Sequence, residues 1–183
     1  MSLLPLSLDH ARDLHEAGAD RIIWRYLPIA APEHLQDTER WIRVALAARE
    51  SGAEIPFVII DRASGRAVGS TRYLDIQHDH GALEIGWTWI AHSHQRTAVN
   101  TESKLLLLAH AFETLEASRV QLKTDARNVQ SQQAIERLGA VREGVLRRQR
   151  RMWDGFIRDT VYYSILDHEW PAVKARLEGL LRK

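Results

Sequence analysis

The amino-acid sequence predicts a mixed α/β fold of the α+β kind, with one sheet covered by helices. Strand-like runs come first, strand–helix alternation follows, and a hairpin signal closes the pattern. Residues 3–8 read as a short strand, ended by Ser7 or Asp9 as a cap. The next element is a helix opened by Pro32, a favoured first helical residue. Its apolar positions Leu35, Ile42, Ala45 and Leu46 recur at helical spacing, and Gly52 stops it. I-P-F-V-I-I at 55–60 is a buried strand, 61–65 a turn, and 67–74 the returning hairpin partner. L-E-I-G-W-T-W-I at 83–90 is a third strand. A helix over 101–115, a strand over 119–124 and a helix over 129–138 come next, the last ended by Gly139 as a left-handed terminator. Runs 141–151 and 156–166 flank W-D-G, a hairpin signal, and a short helix follows Trp170-Pro171.

Composition narrows the class of protein. The 183 residues suit a single domain with its own core, 45% hydrophobic and 27% charged. A formal charge of +1 gives no general attraction to nucleic acid or anionic membrane. Cysteine is absent, which removes disulfides, thiolate zinc sites and a cysteine nucleophile, and suits a cytoplasmic location. No basic region leads into an apolar run at the start, so no secretory signal is expected. No apolar stretch approaches the roughly 20 residues that span a bilayer.

H-S-H-Q-R-T-A-V-N-T-E-S-K at 92–104 runs from a strand into an apolar helix. The first turn of a helix offers unpaired backbone N–H groups and a partial positive charge, a natural place for a phosphate. This loop contains no glycine. Its donors are nevertheless main-chain groups that any non-proline residue supplies. Small Ala98 permits close approach, Asn100 is a suitable N-cap, and Arg96 adds a side chain suited to phosphate.

Together with N-V-Q-S-Q-Q-A-I-E-R-L-G-A at 128–140 and the following R-E-G-V-L-R, these segments resemble the GCN5-related N-acetyltransferase (GNAT) superfamily, in its ribosomal-protein-alanine (RimJ/RimL-like) branch. The family motif Q/R-x-x-G-x-G/A is matched at Gln95, while Ala98 and Asn100 stand at its two small positions. The resemblance implies a mostly antiparallel sheet splayed between two parallel strands, with helices on both faces. It implies acetyl-CoA as co-substrate and an amine acceptor, a peptide N-terminus or a small molecule. The pantetheine arm would pair with Trp89 and Ile90, and the amides from Arg96 through Thr97, Ala98, Val99 and Asn100 to Thr101 would hold the pyrophosphate. Asn128 would hydrogen-bond the arm from the other side. A homodimer is a family-level expectation.

Amine attack on a thioester requires a neutral amine, a stabilised oxyanion and a protonated leaving thiolate. Glu84, between apolar Leu83 and Ile85 and near Trp87, is the candidate base, competing with an outward carboxylate on a strand. Ser131 is a candidate donor to the leaving sulfur and equally a helix-capping residue, and Tyr163 is a second candidate acid. An α-amine of pKa about 8 is neutral in on the order of a tenth of molecules at pH 7, against well under about 0.1% for lysine. Branch members that modify ribosomal proteins carry a glutamate where this chain has Arg150, which suits an acceptor bearing a carboxylate or phosphate.

Other clusters carry less. Arg147, Arg148, Arg150 and Arg151 alternate across a strand, without interleaved aromatics, so nucleic acid is not the expected partner. The pairs His78/His80 and His92/His94 lack a third clear ligand, so no metal is expected. Trp24 and Trp41 could wall an acceptor cleft. The rival reading is a non-catalytic acyl-CoA-binding or sensor module, and within enzymes, acetylation of an amino acid or antibiotic.

Overall fold

The computed structural model describes residues 1–182. Seven strands form one sheet: β1 (Ser2–Pro5), β2 (Glu54–Ile60), β3 (Ala67–Gln77), β4 (Ala82–Ile90), β5 (Arg119–Asp125), β6 (Val141–Arg151) and β7 (Ile157–Leu166). Their spatial order is β1-β2-β3-β4-β5-β7-β6. Every neighbouring pair is antiparallel except β4 and β5. The helices are α1 (Ala11–Ala17), α2 (Leu35–Glu50), α3 (Ala98–Ala109), α4 (Val129–Leu138) and α5 (Trp170–Leu181).

Strand alternation divides the apolar side chains between two cores. Tyr73, Leu83, Ile85, Val120, Leu122 and Val161 pack with residues of α3, α4 and α5 on one face. Leu6, Val58, Ala67 and Trp89 pack with α1 and α2 on the other. The sequence reading missed α1, whose seven residues bury only Ala11 and Leu14. Tertiary contacts hold it instead: Arg66 pairs with Asp13 at 2.9 Å and Glu16 at 2.6 Å. The second helix starts at Leu35 rather than Pro32, because His34 is its N-cap and donates its amide to Asp37 at 3.0 Å. The fourth helix has the predicted bounds, and Gly139 ends it at φ +107°.

Strand β4 is bulged. Gly86 lies opposite Arg72 and Trp89 opposite Ser70, so Trp87 and Thr88 share the place facing Thr71. The extra residue is accommodated by Trp87 at φ +52°. Beyond the bulge Trp89 turns into the α1/α2 core, where its ring meets Trp24 at 5.1 Å and Trp41 at 6.1 Å. Trp24 and Trp41, 6.3 Å apart, are both buried, and Trp24 donates its indole N–H to the Gly18 carbonyl. They are core residues on the α1/α2 side of the sheet, the side that also carries Glu84, and Trp41 alone of the two lines an open pocket, with Pro32, Asp37 and Arg40.

On the opposite face Lys104 of α3, 5% exposed, donates to the Thr88 hydroxyl at 2.6 Å, and that hydroxyl meets Thr71 Oγ1 at 2.8 Å. The lysine thus ties α3 to the bulge. Burial pushes its ammonium down to about 7.

Both cores can be probed by unfolding. Trp89→Ala is expected to lower unfolding free energy by about 3–5 kcal/mol in denaturant melts, while Trp153→Ala, at a 55% exposed position, changes it by less than about 0.5. For Lys104 the ammonium is present in both states below pH 7 and absent from both above the ordinary lysine value. Between these limits the unfolded chain holds the extra proton, so stability rises with pH there and its contribution is lost as pH falls toward 7. Wild type is expected to gain about 1 kcal/mol per pH unit relative to Lys104→Met between pH 7 and 9, measured by urea unfolding.

Candidate functional site

The parallel ladder between β4 and β5 has three rungs, Ala82–Arg119, Leu83–Val120 and Glu84–Gln121. Each strand then continues, β4 to Ile90 and β5 to Asp125, without pairing to the other. The two facing edges open into a fork whose backbone groups have no mutual ladder. Buried main-chain donors and acceptors need partners, so such a fork is suited to an extended polar chain lying along it.

Glu84 sits at the base of the fork and is 2% exposed. Its Oε2 accepts from Gln121 Nε2 at 2.9 Å and pairs with Lys123 Nζ at 2.7 Å. The expected apolar surroundings are therefore corrected: a cation and an amide flank this carboxylate. Its other oxygen lies over Gly86, where an added Cβ would approach Oε1 to 2.9 Å. Strand register places Gln121, Lys123, Tyr162 and Ser164 on the same face of the sheet as Glu84.

At the mouth of the fork, His92–His94 form one 3-10 turn and α3 begins at Ala98. Its N-cap is Thr97, whose hydroxyl accepts from the Val99 amide at 3.3 Å and donates to the His94 carbonyl at 2.7 Å. Asn100 is not the cap but stands a turn inside, and the helix starts three residues before Thr101. Among the described residues, the amides of Arg96, Thr97 and Ala98 have no acceptor in the protein. The positive φ of the loop falls on Arg96, at +60°, not on Ala98 or Asn100. Gln95 reaches back to the Ile90 carbonyl at 3.2 Å, and Gln130 of α4 reaches across to Gln95 at 3.5 Å.

The opposite lip is the start of α4. Asn128 caps it, accepting the Ser131 amide at 3.0 Å, so capping belongs to Asn128 and Ser131 is left half-buried in the first turn. Tyr163 requires correction. It is fully buried on the α4 side, its hydroxyl donates to Glu136 at 3.0 Å, and burial together with that carboxylate pushes it up to about 12. A phenol held there faces away from Glu84 and is packing. Its neighbour Tyr162 faces the Glu84 side, with Lys123 Nζ 5.8 Å from its ring.

Sequence reasoning did not single out two further cations on the Glu84 face. Arg72 is stacked between Trp87 and Trp41 at 4.6 and 5.1 Å and pairs with Glu54 at 2.6 Å. Arg158 is buried and donates to Thr160 Oγ1 at 3.1 Å. Burial pushes both guanidiniums below their ordinary value. Strand alternation could have assigned their face, but not their burial.

The sequence profile described as "Acetyltransferase (GNAT) domain" matches residues 1–141. A Bacillus subtilis (strain 168) protein provisionally named ribosomal N-acetyltransferase YdaF is 36% identical over 91 residues, 50% of this chain and 49% of that protein. The ribosomal-protein-serine acetyltransferase of Escherichia coli (strain K12) is 22% identical over 172 residues, 92% of this chain and 94% of that one. A crystal structure from T. thermophilus, provisionally titled an acetyltransferase, superposes with a TM-score of 0.88 at 39% identity, covering 98% of this chain and 92% of that chain. The forked sheet, the uncovered amides at the start of α3 and these relationships lead to one conclusion: the chain belongs to the GNAT acetyltransferase family and is an acetyl-CoA-dependent N-acetyltransferase.

Proposed function

We propose that the chain acetylates a primary amine, a peptide N-terminal α-amine or a small-molecule amine, entering over the Glu84 face of the fork. The single observation carrying this reading is Glu84 itself: a carboxylate at the last rung before β4 and β5 part, with one oxygen committed to Lys123 and Gln121 and the other over Gly86.

The donor supplies its acetyl group as a thioester. In this reading its diphosphate rests on the amides of Arg96, Thr97 and Ala98, continuing into the first turn through Val99, Asn100 and Thr101. The edge of β4 at Trp89 and Ile90 receives the pantetheine arm as an added strand would be received. Asn128 has spent its carbonyl oxygen on the helix cap, so only its amide NH₂ remains to meet the arm. Glu84 takes the proton that the amine loses as its nitrogen bonds to the acetyl carbon. The carbon–sulfur bond breaks as the amide forms, and in this reading Ser131, in the first turn of α4, returns a proton to the sulfur. Chemistry of this kind needs the amine neutral and oriented, and the fork and Glu84 provide for both.

The names of the B. subtilis and E. coli relatives support a ribosomal protein as one acceptor. Arg150, at the position where the branch carries a glutamate, favours the wider class of amines. Cytoplasmic location and one domain over 1–183 complete the proposal.

Free CoA thiol released from acetyl-CoA with a panel of amines tests the reading. Glu84→Gln is expected to lower kcat by about a hundredfold or more, with acetyl-CoA affinity by calorimetry unchanged. Gly86→Ala, which drives a methyl group into the Oε1 position, is expected to lower kcat in the same direction. Acetyl-CoA binding without amine-stimulated thiol release would instead support a sensor module.

A further inference from the structure

The closing hairpin carries a charge arrangement that ordinary packing does not explain. Arg150 of β6 and Arg158 of β7 are directly paired residues of an antiparallel ladder. Like charges in that relation repel. Arg158 is also 5% exposed, so water does little to relieve it. Its hydrogen bonds go to the Thr160 hydroxyl and, at 3.4 Å, to the Tyr26 carbonyl, both neutral acceptors. Among the described residues neither arginine has an acid within salt-bridge distance, and the Arg150 side chain has no hydrogen-bond partner.

Nearby carboxylates are already committed. Asp125 accepts three bonds from Arg127, from its amide at 2.9 Å and its guanidinium at 3.0 and 2.7 Å. Glu84 is held by Lys123 and Gln121. Both acids nevertheless lie within electrostatic reach of Arg158. Register assigns the arginine pair to the Glu84 face, because Asp125 pairs with Thr160, and Arg158 is two residues further along the same strand. A buried cation without an acid, facing a second free cation on the acceptor side of the fork, is a binding site for an anion.

We propose that Arg150 and Arg158 form an oxyanion subsite for the acceptor, so that the amine acetylated here carries a carboxylate or phosphate in the same molecule. This rests on the amine-acetyltransferase reading above and narrows its substrate class. The subsite acts on recognition, drawing the acceptor into register with Glu84, and takes no part in bond making.

Matched amines that differ by one anionic group test it: Ala-Asp against Ala-Asn, β-alanine against β-alaninamide, and phosphoethanolamine against ethanolamine. The expected result is a kcat/KM about tenfold or more higher for the anionic member of at least one pair, expressed mainly in KM. The carboxylate and phosphate arms tell the two anions apart. In Arg150→Gln, an exposed edge-strand position that leaves the core untouched, the preference falls toward one. Arg158→Lys keeps the charge and loses the planar fork, and is expected to weaken the preference less than Arg158→Gln. Acetyl-CoA binding by calorimetry, unchanged in all three, shows that they fold. Equal rates for charged and neutral members, or a preference that survives both glutamine variants, overturns the subsite while leaving the transferase reading intact. Absence of thiol release with every amine overturns both.

Discussion

A ladder left unfinished organises this protein. Two parallel strands, β4 and β5, bond over three rungs and then diverge, leaving two edges inside a sheet otherwise paired throughout. The divergence is built into packing. The bulge at Trp87 and Thr88 lengthens β4 by one residue on the β3 side, and Trp89 is then drawn among Trp24 and Trp41. Gly69 of β3 lets the bulged strand come close, since a Cβ there would lie 2.3 Å from the Trp89 carbonyl oxygen. From below, Lys104 grips the bulge through Thr88. The fork is therefore the resting form of the sheet, and a ligand lying along its edges meets polar groups already oriented.

Three basic side chains buried around this fork show how charge is handled on its two faces. Lys104 has a hydroxyl for a partner, Arg72 has a carboxylate at one end, and Arg158 has neutral acceptors only. Arg72 nevertheless keeps Nε and Nη2 buried without a partner, as do the indole nitrogens of Trp41 and Trp89. Each such donor costs about 1–3 kcal/mol. Their concentration near β3 and β4 is consistent with a region shaped for something other than maximal stability.

Much of the scaffold could be read from sequence because its signals are local. The period of α4, its Asn128 start and Gly139 stop, and the W-D-G turn between β6 and β7 are each contained within about a dozen residues. The short helix α1 was not legible, since two buried residues in seven make no period and its anchors lie about fifty residues away in sequence. Side-chain direction failed by one residue at Tyr163 and Tyr162. Both suit a strand, and only the register with β5 assigns the second to the Glu84 face. The surroundings of Glu84 were misjudged for a similar reason. Its sequence neighbours are apolar, but its spatial neighbours Gln121 and Lys123 come from the adjacent strand.

The glycine-free loop before α3 follows from where the backbone strain is placed. Left-handed dihedrals are needed once, and they fall on Arg96, a position outside the two small sites of the family motif. Ala98 and Asn100 lie within the helix, where a side chain costs nothing in conformation. What glycine would add at those sites is closeness of approach, because a Cβ keeps a diphosphate further from the amides. Thr97 compensates for part of this by fixing the turn through two hydrogen bonds, so the uncovered amides are held in place before a ligand arrives. The loop exchanges some proximity for order, and its donors remain those of the main chain.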